Sequence, residues 1–168
     1  MYERKGIAEL INAFVRIAPK HPETHLYLVG NGPDREKYEA LAHSTSVEDR
    51  IHFEGFQVEP QRYLLAADIF VLASHREPFG LVLAEAREAG CAIIASNVGG
   101  IPEALDSGDA GLLIAPHSST ELAVAIDKLL DDPNVLSNLK VRATENLDWL
   151  KARRVADDTL KIYAECGS

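Results

Sequence analysis

The sequence predicts a doubly wound, Rossmann-like α/β domain: a parallel sheet with helices on both faces, followed by C-terminal helices. Three observations carry that prediction. Segments with a helical apolar period alternate with short strand-like runs; one run, "DIFVLAS", is continuously apolar, as a strand buried on both faces must be; and several strands end in glycine-rich turns. Strands that alternate with helices imply right-handed crossovers, and therefore parallel strands.

Taken in order, Ile7, Leu10, Ile11, Phe14 and Val15 keep a helical period, and "HLYLVG" is a short strand closed by glycine. "PDREKYEALAH" is helical, "IHFEGF" strand-like, "PQRYLLAA" a short helix and "DIFVLAS" a buried strand. A helix around Leu81 to Ala89 follows, then the strand "CAIIAS", a glycine turn over "NVGGIPEAL", the strand "AGLLIA" and the helix "SSTELAVAIDKLLDD". After Pro133 the pattern is helix only, in "NVLSNLKVRATENL" and "DWLKARRVADDTLKIYAEC", with Trp149, Val155, Leu160 and Tyr163 as apolar anchors. No internal repeat, low-complexity tract or linker interrupts residues 1–168, which read as a single domain. A helix starts almost directly after "MYERKG", whereas a doubly wound sheet usually opens on a strand. Either the first strand is missing or the helix leads.

With 168 residues and 46% hydrophobic content, the chain can bury about 70% of its unfolded surface in one core. A formal charge of -9 argues against nucleic acid or anionic membrane as partner, because those contacts gain free energy from clustered cations that release counterions. The short run Lys151, Arg153, Arg154 reads as a solvated helix face. Two distant cysteines, with no secretory leader and no membrane-length apolar run, predict a soluble protein of a reducing compartment. Cys91, inside "CAIIAS", reads as a small buried hydrophobe. No pair of Cys or His has zinc-ligand spacing, so no structural metal is indicated.

Ligands of open α/β sheets gather beyond the carboxyl ends of the strands. That selects four loops: Gly30 to Pro33, Gly55 to Gln57, Ser74 to Gly80 and Ser96 to Gly100. The first lacks the third glycine of a dinucleotide fingerprint and is equally an ordinary turn. The last allows positive φ and close backbone approach, and it too could be only a turn.

The strongest constellation runs from Glu77 to Glu85. Phe79, Gly80 and Leu81 would form a helix's first turn, whose unpaired amides and positive dipole end favour a phosphate. Glu85 lies one turn beyond Leu81, flanked by Leu81, Val82 and Ala89, and leans back toward that anion site. A carboxylate in apolar company needs strong partners. It is either a buried Glu satisfied by Lys, Arg or backbone donors, or an acceptor for the two hydroxyls of a ribose. Glu77 would then face whatever lies beyond the phosphates. His75 and Arg76 read as loop residues.

"REPFGLVLAEAREAGCAIIASNVGGIPEAL" resembles the Glu-x7-Glu signature of the retaining GT-B glycosyltransferases of glycosyltransferase family 4. "KGIAELINAF", "HLYLVGNGPDREKYEALA", "RIHFEGF", "YLLAADIFVLAS" and "AGLLIAP" agree with that family in order, so the resemblance covers nearly the whole chain. It implies the C-terminal, donor-binding half of a two-domain enzyme. It further implies that Glu85 binds the donor ribose and that Glu77, the candidate catalytic residue, binds the sugar hydroxyls. The amides of Phe79, Gly80 and Leu81 would meet the sugar and diphosphate, Lys5 would neutralise the diphosphate, and Phe56 and Gln57 would frame the nucleobase. Gly30 joins this donor-binding set. The chemistry implied is metal-independent transfer of a sugar from a nucleotide-diphospho-sugar to a saccharide, lipid-linked or other hydroxyl acceptor, with retained configuration. The setting implied is cytoplasmic, with any inner-membrane contact made through a domain outside this sequence.

The departures matter as well. In that family a strand ending in Gly-Arg precedes the Lys-Gly pair, and this sequence starts too late to contain it; the acceptor domain is absent too. A non-catalytic nucleotide-sugar-binding module, acting with a partner chain that supplies an acceptor domain, is the alternative. A sugar-nucleotide epimerase shares the architecture by analogy only, and the Glu-x7-Glu spacing disfavours it.

Overall fold

The computed structural model describes residues 1–150, 156–157, 159–161 and 163, with nothing of the side chains of residues 149 and 150. Cys166, Val155 and the Lys151, Arg153, Arg154 run lie outside the described residues. The elements are α1 (Ile7–Ile17), β1 (Leu26–Val29), α2 (Arg35–His43), β2 (Ile51–Gly55), α3 (Gln61–Ala66), β3 (Ile69–Leu72), α4 (Leu81–Glu88), β4 (Ala92–Ser96), α5 (Ile101–Ala104), β5 (Leu112–Ile114), α6 (Ser119–Asp131) and α7 (Pro133–Ala143). A 3-10 turn over Glu3–Lys5 precedes α1.

Every strand pairing among the described residues is parallel, as the helix-strand alternation requires. The ladder has two parts. β1 pairs with β2, starting from Leu26 opposite Ile51, and β3, β4 and β5 form a second group with β4 central. No hydrogen-bonded ladder joins β1 to β3. What unites the two parts is a shared core. Leu10, Ile11, Phe14 and Ile17 of α1 and Leu122, Ile126 and Leu129 of α6 belong to one apolar cluster with Leu28, Ile51, Ala92 and Ile94.

β4 shows why the architecture is layered. All five of its residues are buried, and they alternate: Ala92 and Ile94 join the α1–α6 cluster, while Ile93 and Ala95 join a second cluster with Leu64, Leu83, Ala86 and Ile101. A strand whose two faces both meet helices needs no polar side. β3, the run "DIFVLAS", also faces both clusters, but it is less enclosed than its sequence predicts: Ile69, Phe70 and Val71 are only partly buried, and Leu72 alone of its four residues is buried. Cys91, just ahead of β4, is fully buried with its Sγ 3.1 Å from Leu64 O; burial pushes its thiol pKa up and keeps it inert.

Helix ends follow local rules. Ser118 caps α6 by accepting from the Glu121 amide at 3.1 Å, and the Asp132 carboxylate caps α7 by accepting from the Asn134 and Val135 amides, with Pro133 at the first helical position. Two sequence expectations fail. "IPEA" forms the short helix α5 rather than continuing a glycine turn, because Ile101 and Ala104 are spaced to enter the second cluster together. Leu160 and Tyr163 are not anchors. Their exposures are 65% and 70%, so the helical period there buries neither.

Candidate functional site

The start of α1 and the loop after β4 meet at the loop from Ser74 to Gly80, which follows β3. Glycines decide how closely. Gly6, at φ +64, ends the Glu3–Lys5 turn, and a Cβ there would lie 1.9 Å from Ala73 O. No other residue lets the start of α1 lie so close to the end of β3. That approach carries Lys5 to Glu77, and Lys5 Nζ donates to Glu77 Oε2 at 2.5 Å. The Glu77 side chain is only 13% exposed, so it needs a counter-charge, and Lys5 supplies one. Ser74 Oγ, fully buried, makes a longer 3.4 Å contact to the same oxygen.

The loop from Ser96 to Gly100 supports the Glu77 backbone from the other side. A Cβ on Gly99, which sits at φ +55, would lie 1.9 Å from Glu77 O, and one on Gly100 would lie 2.4 Å from Pro78 O. The Gly100 amide donates to Glu77 O and Pro78 O at 3.3 and 3.1 Å. The pair of glycines is therefore more than a turn: it is a shelf on which the signature loop rests.

Gly80 takes a left-handed conformation at φ 83, ψ 59 as the N-cap of α4, and no side chain caps that end. The first turn of α4 thus offers backbone amides and a positive dipole end beside Glu77. Phe79 is half-buried, whereas Leu81 is 73% exposed.

Glu85 corrects the sequence reading. It was expected among apolar neighbours and in need of a partner, yet it is exposed, because α4 buries Leu83, Ala86 and Arg87 instead. One apolar stripe of the helix faces the core, and Glu85 shares the opposite, solvent-facing side with Leu81 four residues earlier. Among the described residues its carboxylate has no hydrogen bond or ion pair. It needs no internal partner and is accessible to an external one.

Gly30, Phe56 and Gln57 form a separate loop pair at the ends of β1 and β2. The Gly30 amide donates to Gly55 O at 2.7 Å, a Cβ on Gly30 would meet open space, Phe56 is 78% exposed, and Gln57 Nε2 donates to Glu54 O at 2.7 Å. No hydrogen bond or ion pair among the described residues joins them to Lys5 or Glu77.

Three features escaped the sequence reading. Ser74 lacked any motif. Arg87 is fully buried, donating to Ala143 O at 2.9 Å, Ala104 O at 2.7 Å, Glu145 O at 2.6 Å and Asp106 Oδ2 at 2.8 Å, and so ties α4 to α5 and the end of α7. A charged residue on the apolar side of the α4 helical period was the available signal. The third is a group of possible metal ligands, Glu9, His75 and His117, assembled from segments too far apart in sequence to show any spacing.

Known proteins match this chain in sequence and in fold. The family described as glycosyl transferases group 1 matches residues 1–146. A glycogen synthase of Mycobacterium tuberculosis (strain CDC 1551 / Oshkosh) is 35% identical over 165 residues, covering 95% of this chain and 39% of its own length. The C-terminal domain of a glycosyl transferase group 1 family protein, LpcC, from Francisella tularensis superimposes with a TM-score of 0.80 at 29% identity, over 90% of this chain and 81% of that one. Anabaena HepE, solved in complex with UDP-glucose, gives a TM-score of 0.81 at 27% identity over 96% of this chain and 46% of its own. The chain thus spans about 40% of the length of curated relatives such as the glycogen synthase, and it matches the C-terminal half of the GT-B fold. By sequence and by fold, it belongs to the group 1 glycosyltransferases, glycosyltransferase family 4.

Proposed function

We propose that this chain is the nucleotide-sugar-binding half of a retaining glycosyltransferase, which transfers a hexosyl group from a nucleotide-diphospho-sugar to a saccharide, lipid-linked or other hydroxyl acceptor. The observation that carries this reading is the Lys5–Glu77 pair beside the uncapped start of α4, with Glu85 exposed one turn further along. The diphosphate is met by the Lys5 ammonium and the amides of Phe79, Gly80 and Leu81, so its charge needs no metal. Lys5 then leaves Glu77, whose carboxylate turns to the sugar hydroxyls. Glu85 offers two oxygens to the two ribose hydroxyls. Phe56 and Gln57 frame the base, with Gly30 beside them.

On this reading an acceptor-binding half, in the same chain or on a partner chain, would complete the enzyme. On the same reading, a strand ahead of α1 would pair with both β1 and β3 and join the two ladders; among the described residues each of these two strands has one hydrogen-bonded neighbour.

The test is a thermal-shift panel of UDP, GDP and ADP with their sugar conjugates, UDP-glucose first because HepE was solved with it. A ligand at 100 times its dissociation constant stabilises by about 2.7 kcal/mol, several degrees for a domain of this size. No shift from any nucleotide at millimolar concentration would remove the donor-site reading for this chain. Sugar transfer that appears only when an acceptor-domain partner is added would support a split enzyme. Donor binding without transfer in either mixture would favour the non-catalytic module.

A further inference from the structure

We propose that Glu9, His75 and His117 form a binding site for a divalent transition-metal ion of the zinc type, separate from the donor-binding residues. The three come from the first turn of α1, the loop after β3 and the loop between β5 and α6. His75 Nε2 lies 3.0 Å from Glu9 Oε1, and His117 Nδ1 lies 3.8 Å from the same oxygen. One ligand atom from each residue falls within 4.8 Å of the others. Around a tetrahedral zinc with bonds of about 2.0–2.2 Å, neighbouring ligand atoms stand about 3.3 Å apart. The two separations from Glu9 Oε1, 3.0 and 3.8 Å, bracket that value.

Two of the ligands are held in advance. His75 and Glu9 side chains are 15% and 21% exposed and bonded to each other, and the His75 backbone amide donates to Arg4 O at 2.7 Å. His117, at 64% exposure, is the one free to swing. Its ring lies with its centroid 3.7 Å from that of His75, tilted by 32°.

The group opens into a cavity of about 490 Å³ lined by Glu3, Arg4, Glu9, His75, Arg76 and His117, which leaves room for a water as fourth ligand. Arg4 and Arg76 offset Glu3 and Glu9 there, so binding rests on ligand bonds rather than on a negative field. The other candidate among the described residues, His21 with Asp127 and Asp131, is weaker: Lys20 already bonds both of its carboxylates.

A bound ion would staple three crossover segments together, and His75 is two residues ahead of Glu77. It would therefore order the loop that carries Glu77.

The experiment is titration of the chelator-treated chain, carrying no polyhistidine tag, with Co2+ followed by absorption and with Zn2+ followed by calorimetry. The expected result is one ion per chain, with the visible bands of tetrahedral Co2+ appearing and then displaced by Zn2+. Loss of an outer-shell partner alone weakens metal sites by about 10–100-fold, so His117→Asn should weaken Zn2+ at least about tenfold. Asn also tolerates the left-handed backbone of residue 117, at φ +60, so the loop stays folded. His75→Asn should abolish the Co2+ bands, and His21→Asn should leave them unchanged. Absence of binding at millimolar metal, unchanged binding in His117→Asn, or loss in His21→Asn would each overturn the proposal. Nucleotide binding is read separately, so failure of one site does not decide the other.

Discussion

Lys5 and Glu77, from opposite ends of the α1–β3 region, meet in a 2.5 Å hydrogen bond between an ammonium and a nearly buried carboxylate. The contact exists because two backbones approach closely at Gly6 and Ala73. Without a ligand, the bond neutralises both groups. On the function proposed above, a bound diphosphate would draw Lys5 from Glu77 and leave Glu77 to accept from a sugar.

Lys5→Met is therefore expected to weaken a nucleoside diphosphate by about 10- to 150-fold, the range of one charge-assisted hydrogen bond at about 1.5–3 kcal/mol. The affinity of the nucleoside alone should stay unchanged. Calorimetry on UDP and uridine checks it, and equal losses for both would move Lys5 away from the phosphates.

Because Glu85 is exposed and has no partner among the described residues, Glu85→Gln should leave the thermal midpoint of the free chain unchanged. It should weaken the ribonucleotide about tenfold or more, and the 2′-deoxynucleotide much less. Paired thermal-shift titrations of the two nucleotides give the answer.

Gly99→Ala should cost about 2 kcal/mol or more, since it adds a Cβ 1.9 Å from Glu77 O at φ +55. For a domain of this size that lowers the midpoint by about 4–8 °C. Gly30→Ala, where a Cβ meets open space, carries only the backbone penalty of φ +118 and should lose less. Calorimetric melting of both variants compares them.

Arg87→Met should destabilise by about 3 kcal/mol or more, because it removes the buried guanidinium that donates to three carbonyls and to the Asp106 carboxylate. A lower urea midpoint with an unchanged slope would show a pure stability loss.

The Lys20–Asp127–His21 group sets a pH window. The His21 and Lys20 hydrogen bonds hold the Asp127 carboxyl below its ordinary 3.8, so its contribution is present above pH 3.8 and fades as pH falls through the lower folded value. Asp131 and Asp127 hold Lys20 above its ordinary 10.5, so that contribution is complete below pH 10.5 and is lost as pH rises through the higher folded value. Asp127→Asn should thus be less stable than the unaltered chain at neutral pH, with the difference shrinking in strong acid. Urea midpoints across pH 2–7 measure it.

The parallel α/β plan was legible in the sequence because it depends on local patterns: 3.6-residue apolar periods in α1 and α6, continuous apolar runs in β3 and β4, and glycines at the carboxyl ends of β1 and β2. The Glu77–Glu85 spacing was legible for the same reason, since both belong to one loop and the helix it enters. Helical period could not say which side of α4 faces the core. Leu83, Ala86 and Arg87 won that side through their packing on α5 and α7, which put Glu85 in solvent and made a buried arginine structural. Likewise, only tertiary structure could bring Lys5 to Glu77, rest the Glu77 backbone on Gly99 and Gly100, or gather Glu9, His75 and His117. Each of these joins separate crossovers, where sequence distance has no bearing on distance in space.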